Sequence, residues 1–223
     1  MKGDLELSDK QQEIIEAALK LLGEKGYNDL SLRDIAKKIN VKAPAIYWHF
    51  QNKAMLMDYM AEYILRKGMG DFSPRKNEQA WQDWLICHIS LLRKAMLSYP
   101  DGGRVVAGAH LIPAITLAKL MEYSLASLCS AGIGLRTAQC IVLTTIHYTF
   151  GFVIEEQADK LDQKKQPKYA ITGININNLM EIRNAGGTYN QNFLSGLELI
   201  IFGRSGIEPQ KKRSVKIKES KAH

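Results

Sequence analysis

A chain of 223 residues with 46% hydrophobic and 24% charged side chains is long enough to bury a sizeable core and too apolar for disorder or a fibrous repeat. No apolar run approaches the roughly 20 residues that span a bilayer, and the start Met1-Lys-Gly-Asp-Leu-Glu-Leu-Ser lacks the apolar stretch of a secretory signal. The three cysteines, Cys87, Cys129 and Cys140, show no metal-ligand or Cys-x-x-Cys spacing, so a cytoplasmic protein with reduced core thiols, no metal, no cofactor and no membrane contact is expected.

The elements read as helices from end to end, and the fold class predicted is all-α. Ser8-x-x-Gln11 is a capping box, and Ile15, Ala18, Leu19 and Leu22 recur at helical spacing over a first helix at 9–25. Ser31-x-x-Asp34 opens a short second helix that carries Ile35, Ala36 and Ile39 inward, and Asn40 closes it. Pro44 suits the first turn of a third helix at about 44–50, where its missing N–H costs nothing. Asn52 caps a fourth at 53–67 with Met55, Leu56, Tyr59, Met60, Tyr63 and Ile64 as its apolar stripe.

Gly68, Gly70 and Pro74 then mark a domain boundary. Further helices are expected at 78–98, 102–109, 113–131, 135–157 and 190–204, with a polar, Gly/Asn-rich connection over 158–189. The division is 1–67, 68–207 and a basic, disordered tail at 208–223.

The formal charge of +7 is unevenly placed. Arg33, Lys37, Lys38, Lys42 and Lys53 face only Asp34, and the tail from 203 carries a second basic excess. Two short helices joined by a tight turn, with a positive face and a proline-initiated second member, are what a reader of the DNA major groove needs. Ile46 and Phe50, four apart, bury the third helix and leave Lys42, Ala43, Ala45, Tyr47 and His49 outward. Arg33 can reach the same groove, where its planar fork suits guanine O6 and N7, and Lys42 and alanine–thymine methyl contacts add to base reading. Tyr47, His49 and Lys53 suit phosphate oxygens. Ser31 and Pro44, which open the two helices, complete the candidate set. Spacing alone leaves open a three-helix core whose aromatics only pack and whose lysines are only solvated.

The run Leu30-Ser-Leu-Arg-Asp-Ile-Ala-Lys-Lys-Ile-Asn-Val-Lys-Ala-Pro-Ala-Ile-Tyr-Trp-His-Phe-Gln-Asn-Lys53 resembles the signature of the TetR family, the tetracycline-repressor-like regulators. Trp81-Gln-Asp-Trp-Leu, Leu97-Ser-x-x-Asp-Gly-Gly, Leu125-Ala-Ser-Leu-Cys, Thr149-Phe-Gly-Phe-Val-Ile-Glu-Glu-Gln and Phe193-Leu-x-Gly-Leu-Glu-Leu-Ile-Ile are similar to the tetracycline-repressor type of C-terminal domain. The resemblance implies an N-terminal helix-turn-helix domain and a larger helical domain for ligand binding and dimerisation, the helices at 135–157 and 190–204 forming the dimer's four-helix bundle. It further implies a repressor that binds double-stranded operator DNA as a homodimer, with heads about 34–36 Å apart on a pseudo-palindrome.

In the tetracycline-binding members a histidine coordinates the drug's Mg²⁺, and the aligned position here is Val106. Met69, His88, Leu92, Ala109 and Ser124 align with other drug-contacting positions without matching them, whereas Glu155 matches a glutamate that serves the metal's water shell from the partner subunit. A carboxylate without the imidazole holds a divalent ion poorly. The expected pocket has Met69, Leu92, Val106, Met121 and Val142 as walls and His88, His110 and Ser124 as polar handles, with Glu155 retained, and suits a hydrophobic effector other than Mg-tetracycline. Residues inserted near 109–115 leave a second placement open, with His110 at the lost metal position. No Gly-x-Ser-x-Gly, Gly-rich phosphate loop or His-Glu-x-x-His occurs, and a non-enzyme is expected. An activator, or a DNA-binding protein that senses nothing, is the alternative regulator.

Overall fold

The computed structural model describes residues 7–162 and 187–203, and among them there are helices and no strand. In chain order these are α1 (Asp9–Lys25), α2 (Leu32–Lys38), α3 (Ala43–Tyr47), α4 (Lys53–Met69), α5 (Trp81–Leu97), α6 (Gly102–Ala107), α7 (Ile115–Ser130), α8 (Leu135–Asp162) and α9 (Tyr189–Phe202).

The helix starts are set by side chains that accept the backbone N–H groups a helix cannot satisfy itself. Ser8 and Gln11 form the expected box, and Asn52 Oδ1 accepts from the Met55 N–H at 2.8 Å. Thr188 and Gln191 form a second box at α9. Ile14, Ile15, Ala18 and Leu22 of α1 meet Ile35 and Ala36 of α2, Ile46, Phe50, and Leu56 and Met60 of α4. The stripe of α4 then runs on through Ile64, Leu65 and Met69 into a core with Leu85, Ile89 and Leu92 of α5 and Val105 and Val106 of α6. Helix α4 thus packs on α1 at one end and on α5, α6 and α7 at the other, while α8 packs on α5, α6, α7 and α9.

Several expectations need correction. Gly68 does not end α4, which continues to Met69; a Cβ at Gly68 would lie 2.4 Å from that of Ala95, so the glycine is where α4 and α5 approach closely. All three cysteines are free and exposed rather than in the core. Their helices are apolar, yet Cys140 lies two residues from both Ala138 and Val142 and so faces away from that buried stripe. Helix α3 spans Ala43–Tyr47 rather than 44–50, and the chain leaves it through a tighter turn in which His49 N–H bonds the Ile46 carbonyl at 3.0 Å.

Residues 158–162, expected in a connection, complete α8. That helix is also long and apolar enough by composition to cross a bilayer, an 18-residue stretch within Leu135–Lys160 having a mean hydropathy of 1.4, contrary to the reading that no such stretch exists. One face of it packs within the chain, through Ala138, Val142, Ile146 and Val153. The rest of the 158–189 connection up to 186, and the basic tail at 208–223, lie outside the described residues.

Candidate nucleic-acid interface and effector site

The α2–turn–α3 unit is built from local chemistry. Ser31 Oγ accepts from the Asp34 N–H at 3.2 Å and donates to the Asp34 carboxylate at 2.6 Å, starting α2. Asn40 ends it in the left-handed region at φ 55, which lets Val41 N–H reach back to the Ala36 carbonyl at 2.9 Å. An asparagine tolerates that conformation far better than a branched residue would. The chain then re-enters a helix at once, with Lys42 at the N-cap and Pro44 in the first turn. Ile46 and Phe50, both fully buried, pin α3 to the head, and Phe50 meets Tyr59 edge to face at 5.4 Å.

What this leaves outward is a concavity of about 470 Å³ lined by Arg33, Ala43, Pro44, Tyr47 and Trp48. Arg33, Lys42, Pro44 and Tyr47 are exposed; Ala43, Ala45 and His49 are half-buried. Trp48, absent from the sequence candidates, is 88% exposed at the centre of this face. Its signal was available, since a residue two from each of two buried neighbours must point away from them. Asp34, beside the face, is neutralised: Lys25 Nζ lies 2.6 Å from it, and that bond, with the Ser31 hydroxyl, holds the Asp34 carboxyl below the usual carboxylate range. Lys53 is bonded within the head. Its ammonium donates to the Tyr27 and Asn28 carbonyls at 3.0 and 3.2 Å and sits over the Tyr27 ring, tying the start of α4 to the α1–α2 turn.

On the other side of α4, Met69, Leu92, Val106 and Val142 lie in one buried core with Met121 packed against it. Ser124 is fully buried, its hydroxyl donating to the Leu120 carbonyl at 2.6 Å. His88 is half-buried and stacks on Trp84 at 4.0 Å between centroids, with Phe72 at 5.3 Å and Tyr123 beyond it. Its Nδ1 donates to the Trp84 carbonyl at 2.7 Å, which leaves Nε2 for a further partner. Phe72 and Tyr123, which sequence reasoning missed, thus make an aromatic corner around the imidazole of His88.

Two predicted residues are not brought to it. Glu155 is exposed on α8 while its neighbour Glu156 is buried, paired with Arg93 at 2.7 Å. His110 stands past the end of α6, its side chain 76% exposed, and its ring Nδ1 and backbone N–H both meet Asp58 on α4 at 3.1 and 3.0 Å. Val106 offers no donor to a metal, and the His110 ring is turned to Asp58.

Helix α4 joins the two regions through polar contacts as well as packing. Glu62, one turn past Asp58, accepts from the N–H and the hydroxyl of Thr116, each at 2.8 Å, at the start of α7. Burial outweighs these donors and pushes the Glu62 carboxyl above its usual range. From the far side, Asp101 at the start of α6 accepts from the Tyr27 N–H at 2.9 Å.

Comparison with known proteins agrees with this arrangement at both ends. Residues 14–60 match the family model described as bacterial regulatory proteins, tetR family, and residues 73–209 match the tetracyclin repressor-like C-terminal domain. The class C tetracycline repressor of Escherichia coli is 32% identical over 200 residues, 87% of this chain and 90% of that protein. A solved single-substitution variant of TetR from Acinetobacter baumannii AYE, in complex with minocycline, is 31% identical with a TM-score of 0.69, covering 89% of this chain and 96% of that one. BioQ solved with its natural double-stranded DNA operator is 28% identical with a TM-score of 0.59, covering 69% and 89%. This chain belongs to the TetR family of bacterial transcriptional repressors, with a helix-turn-helix DNA-binding domain followed by a helical ligand-binding domain.

Proposed function

We propose that the protein binds a pseudo-palindromic operator as a homodimer and is released from it by a small hydrophobic effector other than Mg-tetracycline. The observation that carries the first half is the exposed basic and aromatic face around α3 with its neighbouring acid neutralised. Arg33 and Lys42 read base edges there, Ala43 and Ala45 meet thymine methyls, and Tyr47 and His49 hold phosphates. Ser31 and Pro44 set the helices that present them. Lys53 frames the head by its bonds to the α1–α2 turn; a phosphate contact would have to replace these.

Dimerisation is supported by what α8 and α9 leave uncovered: Leu135 is 67% exposed, Leu199 45% and Phe202 39%. Apolar surface of that kind on adjacent helices suits a second copy. We divide the molecule into a head at 1–67, a sensing and dimerising domain at 68–207 and a tail at 208–223, and place it in the cytoplasm, where operator DNA is. The effector site is assigned to Met69, Leu92, Val106, Met121 and Val142, with His88 Nε2 and Ser124 as handles and Glu155 offered to the partner's site. Walls of this composition favour an apolar molecule with few acceptors or donors. His110, held by Asp58, is left out of that site.

The test is a mobility shift with the DNA upstream of the chain's own coding region. Retention at low salt that weakens steeply as salt rises, and whose preference for that DNA over unrelated duplex is lost in Arg33→Ala, is the expected result. Wild-type protein that retains nothing at low salt would sink the proposal.

A further inference from the structure

Helix α7 begins without help from its own sequence: Ala114 stands at its N-cap and offers no side-chain acceptor. The missing cap comes from α4. Each oxygen of the Glu62 carboxylate takes one donor of Thr116, Oε2 the N–H and Oε1 the hydroxyl, both at 2.8 Å. Glu62 is only 5% exposed, so this grip is made in a dry interior where a carboxylate that lost its donors would be costly. A slide of α7 along α4 would break both bonds at once. One turn earlier Asp58 holds the backbone and ring of His110, so two carboxylates on one side of α4 hold both ends of the segment 110–116. The start of α4 is fixed to the head by Lys53 on the Tyr27 and Asn28 carbonyls, and its middle, beside Glu62, by the Tyr63 hydroxyl on Glu16 at 2.9 Å.

We propose that Glu62 is a positioning residue for operator binding: by capping α7 from α4 it fixes the tilt of α4 and so holds the reading head where it fits DNA. The proposal rests on the DNA-binding reading above. It places the start of α7 on the route between the effector core and the head, since Leu117, Leu120 and Ser124 of the same helix are buried in that core. Without the grip, α4 samples several tilts, and apparent affinity falls in proportion to the competent fraction.

The experiment uses a duplex that the wild-type protein selects from a random pool, titrated with wild type, Glu62→Ala, Thr116→Ala, the double variant and Glu62→Gln. Glu62→Ala is expected to weaken binding about tenfold, as for a competent fraction of about one tenth. Its salt slope stays that of the wild type, because the phosphate contacts are unchanged. Thr116→Ala weakens binding in the same direction, and the double variant is no weaker than Glu62→Ala alone. Glu62→Gln, which can still accept from the N–H and donate to the hydroxyl, restores most of the affinity. A merely structural role lowers the melting temperature and leaves the affinity of the folded fraction alone, and that outcome overturns the proposal. If Glu62→Ala does not fold, Thr116→Val removes the hydroxyl donor alone, and binding equal to wild type then counts against it. A wild-type chain that selects no duplex overturns the DNA-binding reading, and this inference with it.

Discussion

The operator face and the effector core treat their polar groups in opposite ways. Around α3, Arg33, Lys42 and Tyr47 stand exposed beside Trp48, and the groups that do make bonds inside the head, Ser31, Asp34, Lys25 and Lys53, are those that shape it. In the core three buried hydroxyls turn back on the protein: Ser124 donates to the Leu120 carbonyl, Thr145 to Val142 and Thr149 to Thr145. The first surface holds its cationic and aromatic side chains out to solvent, where a partner that arrives from outside can meet them. In the second, a polar effector group would have to compete with a bond already made, whereas an apolar one need only displace apolar contacts. The same contrast says where a change in one region should stay local and where it should be felt in the other.

The largest effect is expected from Leu92→Ala. Leu92 is fully buried, so truncation should cost about 2–5 kcal/mol of stability by denaturant unfolding, while the folded fraction keeps its operator affinity. A loss of affinity beyond the loss of folded protein would show that core packing and head placement are not separable. Arg33→Ala is the mirror case: an exposed side chain whose removal should leave the unfolding midpoint alone and cost about 1–3 kcal/mol of base discrimination in each head, measured by anisotropy titration. Equal affinity in Arg33→Ala would remove Arg33 from base reading. Ser31→Ala sits between the regions' two behaviours. Loss of the cap should cost about 1 kcal/mol of stability and a smaller loss of affinity, since α2 supports α3 without touching its partner through that hydroxyl.

Most of the helix starts were legible because their signals are local. Ser8, Ser31 and Asn52 each announce a cap, and Asn40 announces the turn that brings α3 against α2. Ile46 and Phe50 fixed which side of α3 is inward, and by the same reasoning Trp48 should have been named. What failed depends on contacts between elements far apart in sequence. Gly68 looks like a helix breaker until Ala95 of α5 is brought against it, and nothing near Lys53 reveals that the Tyr27 carbonyl will be its partner. The cysteines were misplaced because apolar neighbours around α5, α7 and α8 hide which face the core takes. His110 was weighed for the lost metal position because residues are inserted near 109–115, and the contact it makes there, with Asp58 of α4 beyond the end of α6, has no signal in the sequence around it. Glu62 carried no motif at all: a carboxylate that caps another helix leaves no trace at the spacing of its own.

Acid should separate the two regions by sign, and this is the smallest effect expected. Asp34 is held low by Lys25 and Ser31, Glu24 by Lys38, and Glu16 by Gln12 and Tyr63. The stability these groups give the head is present above the ordinary carboxylate range and is lost as pH falls through their lowered values. Glu62 runs the other way. Burial raises its carboxyl, so its contribution is present in full below the ordinary carboxylate range and is lost as pH rises through the raised value. Between those two windows, as the solution is made mildly acidic, wild type should gain stability relative to Glu62→Gln. Further acid should then cost wild type stability relative to Asp34→Asn. Melting temperatures of the three proteins across acid pH check both signs. A wild type that loses stability relative to Glu62→Gln from the start would mean that the Thr116 donors, and not burial, govern Glu62, and that the grip on α7 depends on its charge.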